Sequence, residues 1–298
     1  MPRAALLSIH ARVEGTEPST WEDASLVQLW GPRFSAFVVA ARDHGVFSLG
    51  RLPDDDEGRR FAEDLATRLD AFLDGRRMTY GEAGRALGVH PNALRYAAPT
   101  GRVLIRWDGA RQPTVWVVPP PEVDPREARL ELARRYLHVF GPTTPTAFGA
   151  WAGIAPARAC AAFDALAGWL APVRTAVGDA WILTGDEPTL RAPAVRPAAA
   201  RLLPSGDAYL LLRGADRELL VPDGDRRRAL WTPRVWPGGV LVGEELVGTW
   251  RRAEANVSIQ PWRRLSRAER DAVEAEAESL PLPGIDGRIL VGWESEAE

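Results

Sequence analysis

The chain contains no lysine, so all 37 of its basic residues are arginine. There is thus no side-chain amine for a Schiff base. That excludes pyridoxal-phosphate enzymes and lysine-based lyases, as well as P-loop and protein-kinase sites built on a lysine. Cysteine occurs once, at Cys160. Neither a disulfide framework nor a thiolate zinc or Cys-ligated iron–sulfur site can therefore form within the chain, and this points to the cytosol. No apolar run approaches the ~20 residues of a membrane span. The apolar stretch after Arg3 reaches only Ile9 before His10 and Arg12 break it, which is too short for a secretory signal. His10, His44, His90 and His138 lie far apart, and no metal site is expected. Gly-x-Ser-x-Gly is absent, as is a Gly-x-Gly-x-x-Gly following a strand. No cofactor is expected.

What remains is a globular composition, 46% hydrophobic and 26% charged over 298 residues. That length suits two or more domains with real cores. The formal net charge is −3, so the whole chain is no generic polyanion binder, but the charge is uneven. Residues 76–121 hold seven arginines against Glu82 and Asp108, a local +5, whereas residues 53–74 hold eight acids against three arginines, a local −5. The first segment suits phosphates and its neighbour does not. The acidic run Asp54-Asp55-Asp56-Glu57 reads as a solvated loop before a helix whose N-terminus favours negative charge.

Patterning orders the chain into segments. Residues 1–75 read as mostly helical, with helices over Ala4–Val13 and Gly58–Leu73, the latter presenting Phe61, Leu65, Leu69 and Phe72 on one face. A short strand is expected over Phe34–Val39. Residues 76–121 are the most legible. Thr79-Tyr80-Gly81-Glu82 is a capping box opening a helix to Leu87, and Gly88 closes it in the left-handed conformation. Pro91 opens a second helix through Ala97, stopped by Pro99-Thr100-Gly101. Strands over 102–107 and 114–118 flank an Asp108-Gly109 turn. Helix, turn, helix and hairpin make a winged helix-turn-helix.

Residues 122–196 repeat it. Gly153-Ile154-Ala155-Pro156 echoes Gly88-Val89-His90-Pro91, and a threonine (Thr144, Thr79) precedes the glycine by nine positions in both. A helix over Arg158–Leu170 and a hairpin over 173–184 follow. Leu190–Ala200 reads as a linker. Residues 197–298 read as a small antiparallel β-barrel with strands over 201–212, 219–222, 240–242, 246–250 and 257–262. An acidic helix over Ser266–Leu280 follows, capped by Ser266 and Glu269. The fold class is α+β: tandem winged helix-turn-helix domains, a small antiparallel β-barrel and a C-terminal helix.

The candidate DNA contacts lie in the first module. His90, Asn92 and Arg95 would meet base edges from a recognition helix. Arg102, Arg106 and Arg111 would hold phosphates from the wing. The second module's helix is Ala-rich, with Arg158 as its one basic residue, and is expected to be structural. Most of the 12 tryptophans, among them Trp151, Trp169, Trp181, Trp250 and Trp262, fall inside expected elements and read as core. One or two could stack on an extruded base.

In this order the chain resembles the winged-helix DNA-binding family that includes the AlkZ- and YcaQ-like DNA glycosylases. The similar segments are Leu6–Gly15; Leu26–Asp43 with Arg33 and Asp43; the 79–118 module; Arg135-Tyr136 with Gly141-Pro142; Trp151-Ala152-Gly153; Leu202-Leu203-Pro204 with Asp207 and Tyr209; and Gly248-Thr249-Trp250. The resemblance implies three tandem winged helices and a β-barrel around damaged double-stranded DNA, with excision of bulky alkylated or crosslinked bases; the sequence does not fix an oligomeric state, and a monomer is favoured. The family's Gln-x-Gln or Gln-x-Asp loop, which would position water, has no counterpart here. The glutamines are Gln28, Gln112 and Gln260, none with Gln or Asp two positions on. No catalytic residue is carried over: either an upstream segment supplies the loop, or this is a divergent member. Three readings stay open. They are a glycosylase without lyase activity, a non-catalytic DNA-binding or regulatory protein on the same scaffold, and an interaction module without DNA.

Overall fold

In the computed structural model the described residues are 2–107, 112–193, 199–212, 214–285 and 287–294. The chain is mixed α+β and divides into two compact units. Glu22–Pro188 forms the body of the first; Arg3–Trp21 and Thr189–Glu298 form the second. No helix among the described residues is long and apolar enough to cross a membrane.

Helix α1 (Pro2–His10) opens the chain and belongs to the second unit. The first unit begins with strands β1 (Leu26–Trp30) and β2 (Ala36–Ala40), paired antiparallel with Val27 opposite Val39. Between them Arg33 and Phe34 both hold φ of 55°, a left-handed backbone rare for side chains of this size. Helix α2 (His44–Leu49) leads to α3 (Asp56–Leu73). Asp55 caps α3 by accepting from the Gly58 N–H, and Asp56 and Glu57 sit in its first turn, where the helix dipole favours them. Leu65, Leu69 and Leu73 recur every four residues and are buried. Phe61, expected on that face, is 54% exposed.

Strand β3 (Met78–Thr79) precedes α4 (Tyr80–Ala86), whose Thr79–Glu82 capping box forms as expected. Gly88 turns at φ 67°. The helix expected after Pro91 is present, but it is a 3-10 helix running Pro91–Thr100. Pro99 lies inside it and donates no amide hydrogen, so the tighter form extends to the left-handed Gly101 cap. Strands β4 (Val103–Arg106) and β5 (Thr114–Val117) form a sheet with β3 in the order β3-β5-β4. Val103 and Ile105 of β4 pack with Leu65, Leu69, Leu94 and Val115 on one face. Leu104 packs with Leu29 and Val39 on the other. A strand covered on both faces explains its unbroken apolar run.

Helix α5 (Pro125–Phe140) links this module to a second copy: α6 (Pro145–Ala152), α7 (Pro156–Ala165) and a hairpin of β6 (Leu170–Thr175) with β7 (Gly178–Leu183). The copies match position for position 65 residues apart. Thr144 caps α6 by accepting from the Ala147 N–H, as Thr79 accepts from the Glu82 N–H. Gly153 turns at φ 74°, as Gly88 does at 67°. The Ile154 N–H donates to Gly149 O at 3.1 Å, and the Val89 N–H to Gly84 O at 2.9 Å. The tryptophans divide. Trp151 is buried, but Trp169 is 67% and Trp181 38% exposed. Both stand on or beside a two-stranded hairpin, which has no second sheet to cover its outer face.

Helix α8 (Glu187–Arg191) precedes β8 (Ala200–Leu203). Pro204 ends β8, and Leu210 lies in a one-turn 3-10 helix where the strand was expected to continue. The strand expected over Leu219–Pro222 is instead the end of helix α9 (Asp216–Leu220). A short apolar run has no periodicity to tell a strand from a helix end. Helix α10 (Gly224–Leu230) leads to β9 (Gly238–Val242), β10 (Glu245–Ala253) and β11 (Asn256–Pro261), then α11 (Arg267–Glu278) and β12 (Leu290–Trp293).

The expected antiparallel barrel is a five-stranded sheet in the order β12-β11-β10-β9-β8, with β12 parallel to β11 and no pairing between β12 and β8 among the described residues. The physical cause is α11. A helix between neighbouring strands returns the chain in the same direction. Leu7 of α1 packs into the core of this sheet with Leu202, Val240, Ile259, Val273 and Ala277. Arg201 holds the C-terminal turn of α1, donating from Nε to Ala11 O at 3.1 Å. Asp207, fully buried, accepts two hydrogen bonds from Arg12 at 2.8 and 2.9 Å and one from the Tyr209 N–H.

Candidate nucleic-acid interface

The 3-10 helix brings three of the expected contacts together. His90 caps it, its Nδ1 accepting from the Asn92 N–H at 3.2 Å. At three residues per turn, Asn92 and Arg95 eclipse on one side. His90 and Asn92 are exposed and Arg95 is half-buried. The Arg95 guanidinium lies over the Tyr96 ring at 5.2 Å and the Phe34 ring at 5.7 Å. Its Nη2 donates to Tyr96 Oη at 3.4 Å, while its Nε is buried with no partner.

Arg102 and Arg106 bracket β4 instead of projecting freely from a wing. Arg102 donates to Asp70 at 2.6 Å and to Thr67 at 3.1 Å. Arg106 pairs with Glu22 at 3.0 Å. Arg111 and the Asp108-Gly109 turn lie outside the described residues, as do residues 194–198 of the expected linker.

The acidic run is not a solvated loop throughout. Asp54 bridges Arg129 at 2.7 Å and Arg158 at 3.1 Å, and Asp55 pairs with Arg158 at 2.8 Å. The Gly58 N–H and Arg158 hold the Asp55 carboxyl below its usual range. Arg158, the lone basic residue on α7, is thereby committed to carboxylates of its own unit. Two of the three glutamines are also committed to backbone. Gln28 accepts from the Trp107 N–H at 2.8 Å and Gln112 from the Gly81 N–H at 2.9 Å. Among the described residues no cluster of three or more His, Cys, Asp or Glu could hold a metal.

Three features escape a reading of sequence alone. Arg51 is buried, donating from Nε to Ala152 O at 3.0 Å and from Nη1 to Trp30 O at 2.8 Å, and lying over Phe34 at 4.8 Å. It ties the end of β1 to the end of α6. Burial without a carboxylate pulls its pKa down to about 9. Beside it, the indole nitrogens of Trp30 and Trp107 are buried without partners, the two rings 5.8 Å apart. Third, Phe34, Tyr96 and Phe61 come from three separate segments and meet at the surface. An isolated arginine or phenylalanine carries no sequence signal for any of these roles.

The comparisons agree with this architecture. A model of the family described as "AlkZ-like: DNA glycosylase AlkZ-like" matches residues 1–281. No curated protein sequence matches the chain. Among solved structures the fold is similar to that of Streptomyces sahachiroi DNA glycosylase AlkZ. The TM-score is 0.76 at 20% sequence identity, over 98% of this chain and 89% of that one.

Proposed function

The chain belongs to the AlkZ-like DNA glycosylase family, and from that premise we propose that it binds double-stranded DNA through tandem winged helices and hydrolyses the N-glycosidic bond of bulky alkylated or crosslinked bases. The observation that carries this reading is the family match over residues 1–281, joined to the duplicated helix, turn, helix and hairpin. In the first module the face bearing His90, Asn92 and Arg95 meets base edges. Arg102 and Arg106 exchange their carboxylates for backbone phosphates, and Arg111 joins them. Because the chain has no lysine, excision proceeds by water attack without a lysine-based lyase step. The protein acts as a monomer in the cytosol.

A second reading, a non-catalytic DNA-binding or regulatory protein on the same scaffold, is favoured by one observation. No glutamine stands in a Gln-x-Gln or Gln-x-Asp pair, and Gln28 and Gln112 already serve the backbone. Both readings require DNA. Affinity for a duplex is expected to fall steeply with salt, and each phosphate-binding arginine removed is expected to lower that slope by about one. A salt-independent or absent affinity would leave an interaction module. Base release from an alkylated duplex separates the first two readings.

A further inference from the structure

The surface beside the 3-10 helix carries aromatic rings that the fold leaves in water. Phe61 is 54% exposed and Tyr96 37%. Phe34 meets Tyr96 edge-on at 4.9 Å and 78°, and Tyr96 meets Phe61 at 6.2 Å. The neighbours of these residues are buried: Leu65 on α3, and Leu94 and Ala97 on the 3-10 helix, seal the core beneath. The rings are therefore surplus to that core.

Phe34 is held at this surface by a left-handed backbone at φ 55°, which persists only where its surroundings enforce it. Two guanidiniums attend the rings. Arg51 lies over Phe34 at 4.8 Å, and Arg95 lies over Phe34 and Tyr96. Neither forms an ion pair among the described residues, and the Arg95 Nε keeps a donor without a partner. Exposed rings with an unneutralised, partly exposed cation such as Arg95 against them are the materials with which proteins hold unpaired nucleotides: a π-face for the base and a charge for its phosphate.

We propose that Phe61, Tyr96 and Phe34 form a stacking site for an unpaired DNA base, with Arg95 facing the adjoining phosphate. This rests on the reading of the protein as DNA-binding and adds to it a site for an unstacked base at the Arg95 edge of the face that bears His90 and Asn92.

The test compares three fluorescein-labelled probes by anisotropy: a short oligothymidylate, the same backbone with abasic tetrahydrofuran units, and a matched duplex. The two single strands carry the same phosphates, so their affinity ratio isolates stacking. The wild-type chain is expected to favour oligothymidylate by about 5- to 150-fold for each base stacked. The double variant Phe61→Leu with Tyr96→Leu keeps apolar bulk over the core but removes the two exposed π-faces of the three, and its ratio is expected to fall towards one with duplex affinity held. If the double variant fails to fold, Phe61→Leu alone carries the test, because that ring is more than half exposed. A wild-type ratio near one, or a high ratio that the variants keep, overturns the stacking site. Duplex binding with a ratio near one overturns this inference alone, whereas absence of binding to every probe overturns the DNA-binding reading with it.

Discussion

Asp70→Asn is expected to strengthen DNA binding, because Arg102 can reach a phosphate only by giving up Asp70. The two side chains meet at 2.6 Å and are 24% and 49% exposed. A pair exposed to this degree is worth about 0.5–1 kcal/mol. A phosphate that takes Arg102 must overcome that amount and also approach an acid. Asparagine keeps an oxygen for the Arg102 N–H and removes only the charge. The gain is bounded by the pair's own energy, about two- to fivefold in Kd. Salt should shrink it, since the groups are half-solvated. The assay is duplex anisotropy at low and at physiological salt, with Arg102→Ala as the control expected to weaken binding and flatten the salt slope. If Asp70→Asn leaves the affinity unchanged and Arg102→Ala is neutral as well, Arg102 is a structural tie to α3 and not a phosphate contact.

Other perturbations follow from the geometry. Arg12→Ala strands the fully buried Asp207 carboxylate with only the Tyr209 N–H, and is expected to cost about 3 kcal/mol in chemical denaturation. Asp207→Asn should cost less, and equal losses would argue against an uncompensated buried charge. Gly88→Ala and Gly153→Ala share a left-handed backbone, but a Cβ at 153 would lie 3.2 Å from the Arg33 backbone while that at 88 meets nothing within 4 Å. The first should cost about 1 kcal/mol and the second clearly more, and equal melting points would contradict the close packing. Burial lowers the pKa of His10 and His44 below 6.5. The unfolded chain therefore binds protons more readily than the folded one, and stability should fall as pH drops below about 6.5. His44→Leu should flatten that slope in a thermal series from pH 7 to 5, and an unchanged slope would place the effect elsewhere.

Local rules were legible wherever one residue type fixes one conformation. Thr79 with Glu82 and Ser266 with Glu269 are capping boxes in the structure as in the sequence. Gly88 takes the left-handed turn expected of a glycine closing a helix, and Gly153, its counterpart in the repeat, does the same. Decisions made by partners distant in sequence were not legible. That α1 packs with the C-terminal sheet depends on Leu7 meeting Val240 and Val273. That β12 runs parallel to β11 depends on α11 folding back between them. Phe61 counted as core by its helical spacing, yet the core closes with Leu65, and the ring is left outside beside Tyr96 and Phe34. Arg102 and Arg106 read as free wing charges because sequence cannot show Asp70 and Glu22 folding against them.

Excision of a damaged base is measured directly by base release. The purified chain is incubated with a duplex carrying N7-alkylguanine, and abasic sites are revealed by alkali. Strand scission is expected only after alkali treatment, since hydrolysis leaves an abasic site and a chain without lysine has no side-chain amine to cut it. Absence of scission with duplex binding intact would contradict the glycosylase and leave a DNA-binding scaffold.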